Sequence, residues 1–252
     1  MFKLLTPPDP MPVLRVNAEG RAPFLLTADH AGSAVPKSLG DQGVSAGDRL
    51  RHIGWDIGIW EVTRRLAEFL DAVAIGQAYS RLVIDCNRNP AWPGAMPVVS
   101  ESTDIPGNVG LGAAERALRV AEIFQPYHAA IAAELDRRPS AVMVAMHSFT
   151  PIYKGLVRPW HFGVLFHRHS ALSLILARLL RQEDGLVIGE NEPYSVSDTS
   201  DYSIPVHAEA RGLPYLELEI RQDLIADAAG QAEWAARLGR LIPLAWEAFL
   251  AI

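Results

Sequence analysis

Short apolar segments of strand length alternate with longer segments of helical periodicity along the chain. The strand candidates are Phe24–His30, Arg81–Asn87, Ala141–His147, Phe162–His167, Gly185–Gly189 and Tyr215–Arg221. Several are apolar on both faces, which is typical of parallel strands covered by helices. The helix candidates are Trp55–Leu70, Ala113–Leu135 with an interruption before Pro126, Ala171–Arg181 and Glu233–Leu250. The alternation predicts an α/β fold in which residues 1–252 form a single three-layer domain around a mostly parallel sheet.

Charge and composition exclude several classes of partner. The 252 residues include 23 Lys and Arg against 29 Asp and Glu, a net charge of −6. This balance provides no basic surface for nucleic acid or an anionic membrane, so we expect neither as a partner. Cys86 is the only cysteine, which excludes an intrachain disulfide and a cysteine-based zinc cluster. The N-terminus lacks the apolar segment of a signal peptide, and no stretch approaches the roughly 20 apolar residues that span a bilayer. We therefore expect a cytoplasmic protein.

Three polar residues lie where an open α/β sheet binds its ligands, beyond the carboxyl ends of the strands. His30 ends the first predicted strand, His147 ends another, and Asp56 lies at the start of a predicted helix. Two histidines and a carboxylate suit Zn²⁺, which leaves a coordination position open when it is catalytic. Each residue alone also fits a structural role, because strand-end histidines are often hydrogen-bonded and Asp56 could cap its helix.

The segment SRLVIDCNRNPAW places Asn87 and Arg88 just past a predicted strand. An arginine there can bind a carboxylate through two parallel hydrogen bonds, which lysine cannot do. The alternative is a structural ion pair between Arg88 and either Asp85 or an acidic residue of the following loop. Arg81 begins the same predicted strand, and six residues at about 3.3 Å each place it roughly 20 Å from the other end. We therefore interpret Arg81 as structural.

The segment YLELEIRQDL contains two glutamates, Glu217 and Glu219, on one face of an apolar strand. Buried glutamates are costly unless they are paired or functional. Glu219 is nearer the carboxyl end of the strand and is the predicted general base, whereas Glu217 could be satisfied by a neighbouring arginine. The alternative is an exposed edge strand with alternating charges, which the apolar residues between the glutamates disfavour.

Seven motifs together resemble those of the N-formylglutamate amidohydrolase family. They occur in order between about Leu25 and Leu224 and read DHAGSAVP, HIGWDIG, SRLVIDCNRNP, HSFTP, RPWHFGVLFH, GENEPY and LELEIRQDL. The resemblance implies a phosphorylase/hydrolase-like α/β fold related to the zinc-dependent exopeptidases. It also implies hydrolysis of the amide bond of an N-acyl amino acid. Well-characterised deformylases often read PHSG where this chain has DHAG, so the resemblance places the chain on a side branch.

More distant similarities imply roles for individual residues. NRNPAW is similar to the carboxypeptidase motif in which Asn and Arg bind the substrate carboxylate, which implies this role for Asn87 and Arg88. Zinc amidases of cell-wall turnover have two histidines, a glutamate ligand and a catalytic glutamate in a set order. That order is matched by the residues His30, Asp56, His147 and Glu219, with Asp56 in place of the glutamate ligand.

The resemblance therefore implies a zinc-dependent amidohydrolase of histidine breakdown, with N-formyl-L-glutamate cleaved to formate and L-glutamate. One Zn²⁺ held by His30, Asp56 and His147 would activate water and polarise the acyl carbonyl. Glu219 would take the proton of the water and pass it to the leaving amine. Arg158 and His207 are the further substrate-binding candidates, for the oxyanion or a second carboxylate. His161, His167 and His169 are interpreted as structural.

Two other functions stay open at this stage. One is a zinc peptidase or amidase acting on a larger substrate, which the predicted cytoplasmic location and the long Pro- and Gly-rich loop over 88–112 disfavour. The other is a non-catalytic carboxylate-binding relative, which the presence of every proposed catalytic residue disfavours.

Overall fold

Seven strands form the central sheet of the protein. The fold is described from a computed structural model, for residues 3–252. The sheet consists of β1 (Val13–Val16), β2 (Phe24–Ala28), β3 (Val73–Gln77), β6 (Val142–Phe149), β9 (Phe162–Leu165), β10 (Ile188–Glu190) and β11 (Tyr215–Arg221). Two small ribbons pair β4 (Val99–Ser100) with β5 (Thr103–Asp104), and β7 (Ile152–Tyr153) with β8 (Leu156–Val157). The strand order in the central sheet is β1-β3-β2-β6-β11-β9-β10.

The four central strands β3, β2, β6 and β11 run parallel to one another, which confirms the mostly parallel sheet. Their carboxyl ends therefore meet at one edge. β9 runs antiparallel to β11, with Phe162 opposite Ile220 and Leu165 opposite Glu217. The carboxyl end of β9, and His167 beyond it, consequently lies at the opposite edge of the sheet.

Helices cover both faces of the sheet and complete the three layers of the α/β fold. The helices are α1 (Ala46–Arg49), α2 (Ile59–Leu70), α3 (Ala113–Arg119), α4 (Gln125–Arg137), α5 (Ala171–Leu180) and α6 (Ala228–Leu250). Apolar side chains of α2, α5 and α6 pack on one face, and those of α4 and the preceding turn pack on the other. Within residues 3–252, no helix is long and apolar enough to cross a membrane.

The predicted interruption before Pro126 is confirmed. A π-helical segment, Val120–Phe124, joins α3 to α4, and Pro126 lies in the first turn of α4. Proline has no N–H to donate to the preceding turn, so a helix tolerates it at a new start better than in its interior.

The predicted strand Arg81–Asn87 is wrong. This segment is an irregular loop of turns. The strand of this region is β3, which begins eight residues earlier. Neither β3 nor β1 was predicted from the sequence. Val83, Ile84 and Cys86 are buried against the α4 layer. The segment is therefore apolar because the loop is buried, and not because it pairs in the sheet.

Candidate active site

A cavity of about 540 Å³ opens at the carboxyl edge of the parallel strands. Its volume lies in the range of small-molecule sites. Its lining includes every predicted metal ligand and both glutamates of β11. The polar and aromatic residues that line it include His30, Asp56, Arg81, Asp85, Asn87, Arg88, His147, Tyr153, Tyr194, Asp201, Glu217 and Glu219.

The structure brings the three predicted metal ligands together. One ligand atom from each of His30, Asp56 and His147 lies within 4.8 Å of the other two, and all three residues are buried. Oδ2 of Asp56 is 3.4 Å from Nδ1 of His30 and 3.2 Å from Nδ1 of His147. The N-cap residue of α2 is Gly58, so Asp56 does not cap the helix. Its carboxylate contacts the two histidines instead.

A second carboxylate lies on the far side of each histidine ring. Nε2 of His30 is 2.7 Å from Oδ1 of Asp85, and Nε2 of His147 is 3.5 Å from Oδ2 of Asp29. Metal-binding histidines commonly have such an outer partner, which orients the ring and makes it a better ligand. The sequence interpretation did not assign this role to Asp29 or Asp85, although each occurs in a motif that it singled out.

The charges of the cluster are balanced in a way that suits a bound cation. Burial and Arg81 favour the neutral ring of His30, but the carboxylates of Asp85 and Asp56 outweigh them and raise its pKa. Burial likewise opposes protonation of His147, yet the neighbouring carboxylates of Asp29 and Asp56 hold its pKa well above the usual range. A divalent cation can replace these ring protons, because it satisfies the same carboxylate charge. The donor set of two imidazole nitrogens and one carboxylate fits Zn²⁺.

Arg81 belongs to the site, which corrects its interpretation as a distant structural residue. Nε and Nη2 of Arg81 donate to Oδ2 of Asp85 at 3.1 and 2.6 Å, and Nη1 is 3.5 Å from Oδ1 of Asp56. The estimate of roughly 20 Å assumed an extended strand. The turns that replace the predicted strand bring Arg81 back towards Asp85.

The two glutamates of β11 lie beside this cluster. Glu219 is opposite His147 in the β11–β6 register, is only 6% exposed, and its Oε2 has no hydrogen-bond partner within the described chain. Burial raises the pKa of Glu219 to about 8, although His147 acts in the opposite direction. Burial, followed by the charge of Asp201, also raises the pKa of Glu217 well above its usual range. Both carboxyl groups therefore have a high affinity for a proton.

Asn87 and Arg88 differ in how freely they face the cavity. Oδ1 of Asn87 accepts hydrogen bonds from the backbone N–H groups of Tyr202 and Ser203, and Nδ2 donates to Asp201. Asn87 therefore anchors the loop around residue 201, which corrects its predicted role in binding the substrate carboxylate. The side chain of Arg88 is 31% exposed, and its Nη1 is 3.8 Å from Oδ1 of Asp201, so its guanidinium can bind an incoming carboxylate.

Arg158 is not among the residues that line the cavity, contrary to the expected substrate contact. Its guanidinium lies 4.8 Å from the ring centre of Tyr153 and 4.7 Å from that of Tyr194. Both tyrosines line the cavity, so Arg158 packs against residues of the lining.

His207 is likewise absent from the lining. Its ring stacks on His128 at 5.1 Å, with Nε2 2.9 Å from Nδ1 of His128, and burial lowers the pKa of His207 to about 3. Its helical turn packs against the α4 layer, which explains why it does not reach the site.

Comparison with known proteins identifies the family. The family model described as N-formylglutamate amidohydrolase matches residues 22–226. The chain belongs to this family. The amidohydrolase resemblance of the sequence motifs is thereby confirmed.

Individual relatives agree with this assignment. An N-formylglutamate deformylase of Pseudomonas putida is 31% identical over 130 residues, a match that spans 47% of this chain and 47% of that protein. The crystal structure of a gene product from Agrobacterium tumefaciens has a TM-score of 0.93 at 35% identity, covering 98% of this chain and 99% of that one. An N-formylglutamate amidohydrolase from Ralstonia eutropha shares the fold, with a TM-score of 0.63 at 21% identity over 96% of this chain and 100% of its own.

Proposed function

We propose that this protein is a zinc-dependent hydrolase of N-acyl amino acids, and that it cleaves N-formyl-L-glutamate to formate and L-glutamate. One observation carries the proposal. The buried cluster of His30, Asp56 and His147 lies in the same cavity as the carboxyl group of Glu219, whose Oε2 has no hydrogen-bond partner among residues 3–252. Membership of the amidohydrolase family supports this substrate class. A cytoplasmic location and a role in histidine breakdown belong to the same proposal.

The metal would be held by Nδ1 of each histidine and by Asp56. When bound there, Zn²⁺ supplies Lewis acidity, which polarises an acyl carbonyl and makes water more acidic. Asp29 and Asp85 hold the two rings in the orientation that points Nδ1 at Asp56. Arg81 in turn holds Asp85 through two hydrogen bonds.

Glu219 would move the proton that the reaction requires. Its carboxylate accepts a proton from the attacking water, whose oxygen forms a bond to the acyl carbon. When the C–N bond breaks, the same proton passes to the amine of the departing amino acid. The position of Glu219 opposite His147, a ligand of the proposed metal, supports this role.

Arg88 would hold the α-carboxylate of the substrate. It is a cavity-lining cation whose side chain is partly exposed, and its planar guanidinium can form two parallel hydrogen bonds to a carboxylate. Asn87, through its bonds to the loop around residue 201, keeps Arg88 in place.

Direct product analysis tests the proposed function. Protein reconstituted with zinc is incubated with N-formyl-L-glutamate and with N-acetyl-L-glutamate, and formate, acetate and glutamate are quantified. We expect equal amounts of formate and glutamate from the formyl substrate, and no release after chelation of the metal. No release from any N-acyl amino acid by the zinc-loaded protein would contradict the proposal.

A further inference from the structure

The hydroxyl of Tyr194 has a proton that no group within residues 3–252 accepts. Nη1 of Arg158 donates to this hydroxyl at 2.8 Å, and no other hydrogen bond involves it among residues 3–252. A guanidinium can only donate, so the phenol oxygen is the acceptor and its own O–H remains available. Tyr194 is 43% exposed and lines the cavity.

Arg158 is placed to act on Tyr194, which lines the cavity, because Arg158 itself is not part of the lining. The residue is 8% exposed, and its guanidinium lies between the rings of Tyr153 and Tyr194. Nη1 of Arg158 also donates to the backbone oxygen of Thr150 at 3.4 Å. A positive charge that donates to a phenol oxygen makes the phenol O–H a stronger donor.

The backbone leading to Tyr194 is held against β9. The N–H of Asn191 donates to the carbonyl of Val164 at 3.0 Å, and Oδ1 of Asn191 accepts from the N–H of Phe166 at 2.8 Å. The carbonyl oxygen of Glu192 lies 2.2 Å from the position that a Cβ on Gly163 would take, a close approach that only glycine permits. Tyr194 therefore follows an anchored segment.

That anchor places Tyr194 beside the proposed general base. Gly163 is the partner of Glu219 in the β9–β11 pair. Burial and then the charge of Glu219 raise the pKa of Tyr194, so the phenol keeps its proton at neutral pH. The available O–H thus belongs to a residue that lines the same cavity as the group assigned to the attacking water.

We propose that Tyr194 is a catalytic residue that donates a hydrogen bond to the acyl oxygen of the substrate as this oxygen gains negative charge, and that Arg158 is its positioning residue. The inference deepens the proposed function and rests on it. It also explains why Arg158 is buried behind two tyrosines instead of contacting the substrate.

Five zinc-loaded proteins test this inference: the wild type, Tyr194→Phe, Tyr153→Phe, Arg158→Met and the double variant Tyr194→Phe/Arg158→Met. Tyr153→Phe is the matched control, because Tyr153 also lines the cavity and stacks on Arg158. Steady-state hydrolysis of N-formyl-L-glutamate is measured for each protein. Calorimetry measures binding of a phosphonamidate analogue, which mimics the tetrahedral transition state, and of L-glutamate.

For Tyr194→Phe we expect kcat to fall about 100- to 1,000-fold with little change in KM, the usual effect of removing one donor to a developing oxyanion. Affinity for the phosphonamidate should fall with it, while affinity for L-glutamate stays the same. Tyr153→Phe should lose far less activity. Arg158→Met should lower kcat less than Tyr194→Phe, and the double variant should be no slower than Tyr194→Phe alone.

Three results would overturn the inference. Tyr194→Phe could match Tyr153→Phe in kcat and analogue affinity, in which case the proposed function stands without this residue. The effect of Arg158→Met could add in full to that of Tyr194→Phe, which would mean that Arg158 does not act through Tyr194. Finally, a wild-type protein that hydrolyses no N-acyl amino acid would overturn the proposed function and the inference together.

Discussion

Each candidate metal-binding histidine lies between two carboxylates, and this arrangement decides which nitrogen faces the centre. Asp85 and Asp29 take the Nε2 side of His30 and His147, which leaves both Nδ1 atoms directed at Asp56. The outer carboxylates also favour a cation between the rings. A single histidine therefore depends on at least two other residues for its role.

Exchanging Glu219 for glutamine tests the assignment of the base. Glu219→Gln keeps the shape of the side chain but cannot accept a proton, so kcat should fall about 100- to 10,000-fold. Zinc content, measured by mass spectrometry, should stay at the wild-type level. Glu217→Gln is the control, because Glu217 lies one pleat farther from the strand end. Near-normal turnover of Glu219→Gln together with inactive Glu217→Gln would show that the base is Glu217.

Exchanging Arg88 for lysine tests the carboxylate contact. Lysine keeps the charge but cannot form two parallel hydrogen bonds, so KM for N-formyl-L-glutamate should rise about tenfold or more while the melting temperature changes little. The same variant is assayed with the α-amide of the substrate, for which KM should hardly change relative to wild type. Equal losses on acid and amide would assign Arg88 a structural role.

Sequence patterns identified the site residues that occur beside strand ends, and missed those whose role depends on the path of a loop. His30, His147 and Glu219 could be found because parallel strands bring their carboxyl ends together. Arg81 was misplaced because its position depends on turns that an apolar segment does not reveal. Arg158 was assigned to the substrate because the sequence does not show the two tyrosines that enclose it.

At the scale of elements, the contact between β9 and the segment after β10 positions Tyr194. Gly163→Ala would drive a Cβ into the carbonyl oxygen of Glu192, so the segment must shift or the protein loses stability. We expect a loss of about 1–3 kcal/mol, the usual cost of overpacking, with reduced kcat. Gly47→Ala is the control, because its Cβ would meet little besides Oγ of Ser45 at 3.8 Å. Urea unfolding that finds the two variants equally stable would contradict this account.

Most elements were predictable because their periodicity reflects burial. β11 has the predicted bounds, Tyr215–Arg221, and α5 ends within one residue of the predicted helix. β3 was missed because VAIGQ is short and follows α2 closely, whereas LVIDC, a few residues later, has the more strand-like composition. Composition reports burial, and burial alone does not distinguish a strand from a loop packed under a helix.

At the scale of the whole molecule, the raised pKa values predict how the stability of the metal-free protein depends on pH. His30 and His147 bind protons more tightly when folded, so their contribution is complete below about pH 6.5 and is lost as pH rises. Glu219 has a pKa of about 8 in the folded protein. Its contribution to stability is therefore also lost as pH rises, between about pH 4.5 and 8.

The melting temperature of metal-free protein should therefore fall from pH 6.5 to pH 9. The fall should be smaller for zinc-loaded protein, in which the metal takes the place of the ring protons. The melting temperature of metal-free Glu219→Gln should also fall less steeply with pH than that of wild type, because one titrating group is gone. A melting temperature of the metal-free protein that rises over this range would show that these groups do not titrate as described.

The stoichiometric titration of metal-free protein with zinc tests the central claim most directly. Bound zinc and hydrolysis of N-formyl-L-glutamate are measured in the same samples, for wild type, His147→Ala and the control His169→Ala, whose histidine is exposed and outside the cluster. For wild type and the control, activity should rise with each addition and level off at about one zinc per chain. His147→Ala should fold but neither retain zinc nor hydrolyse the substrate. Full activity without zinc, or one tightly bound zinc in inactive His147→Ala, would contradict the assignment of His30, Asp56 and His147 as the metal site of a hydrolase.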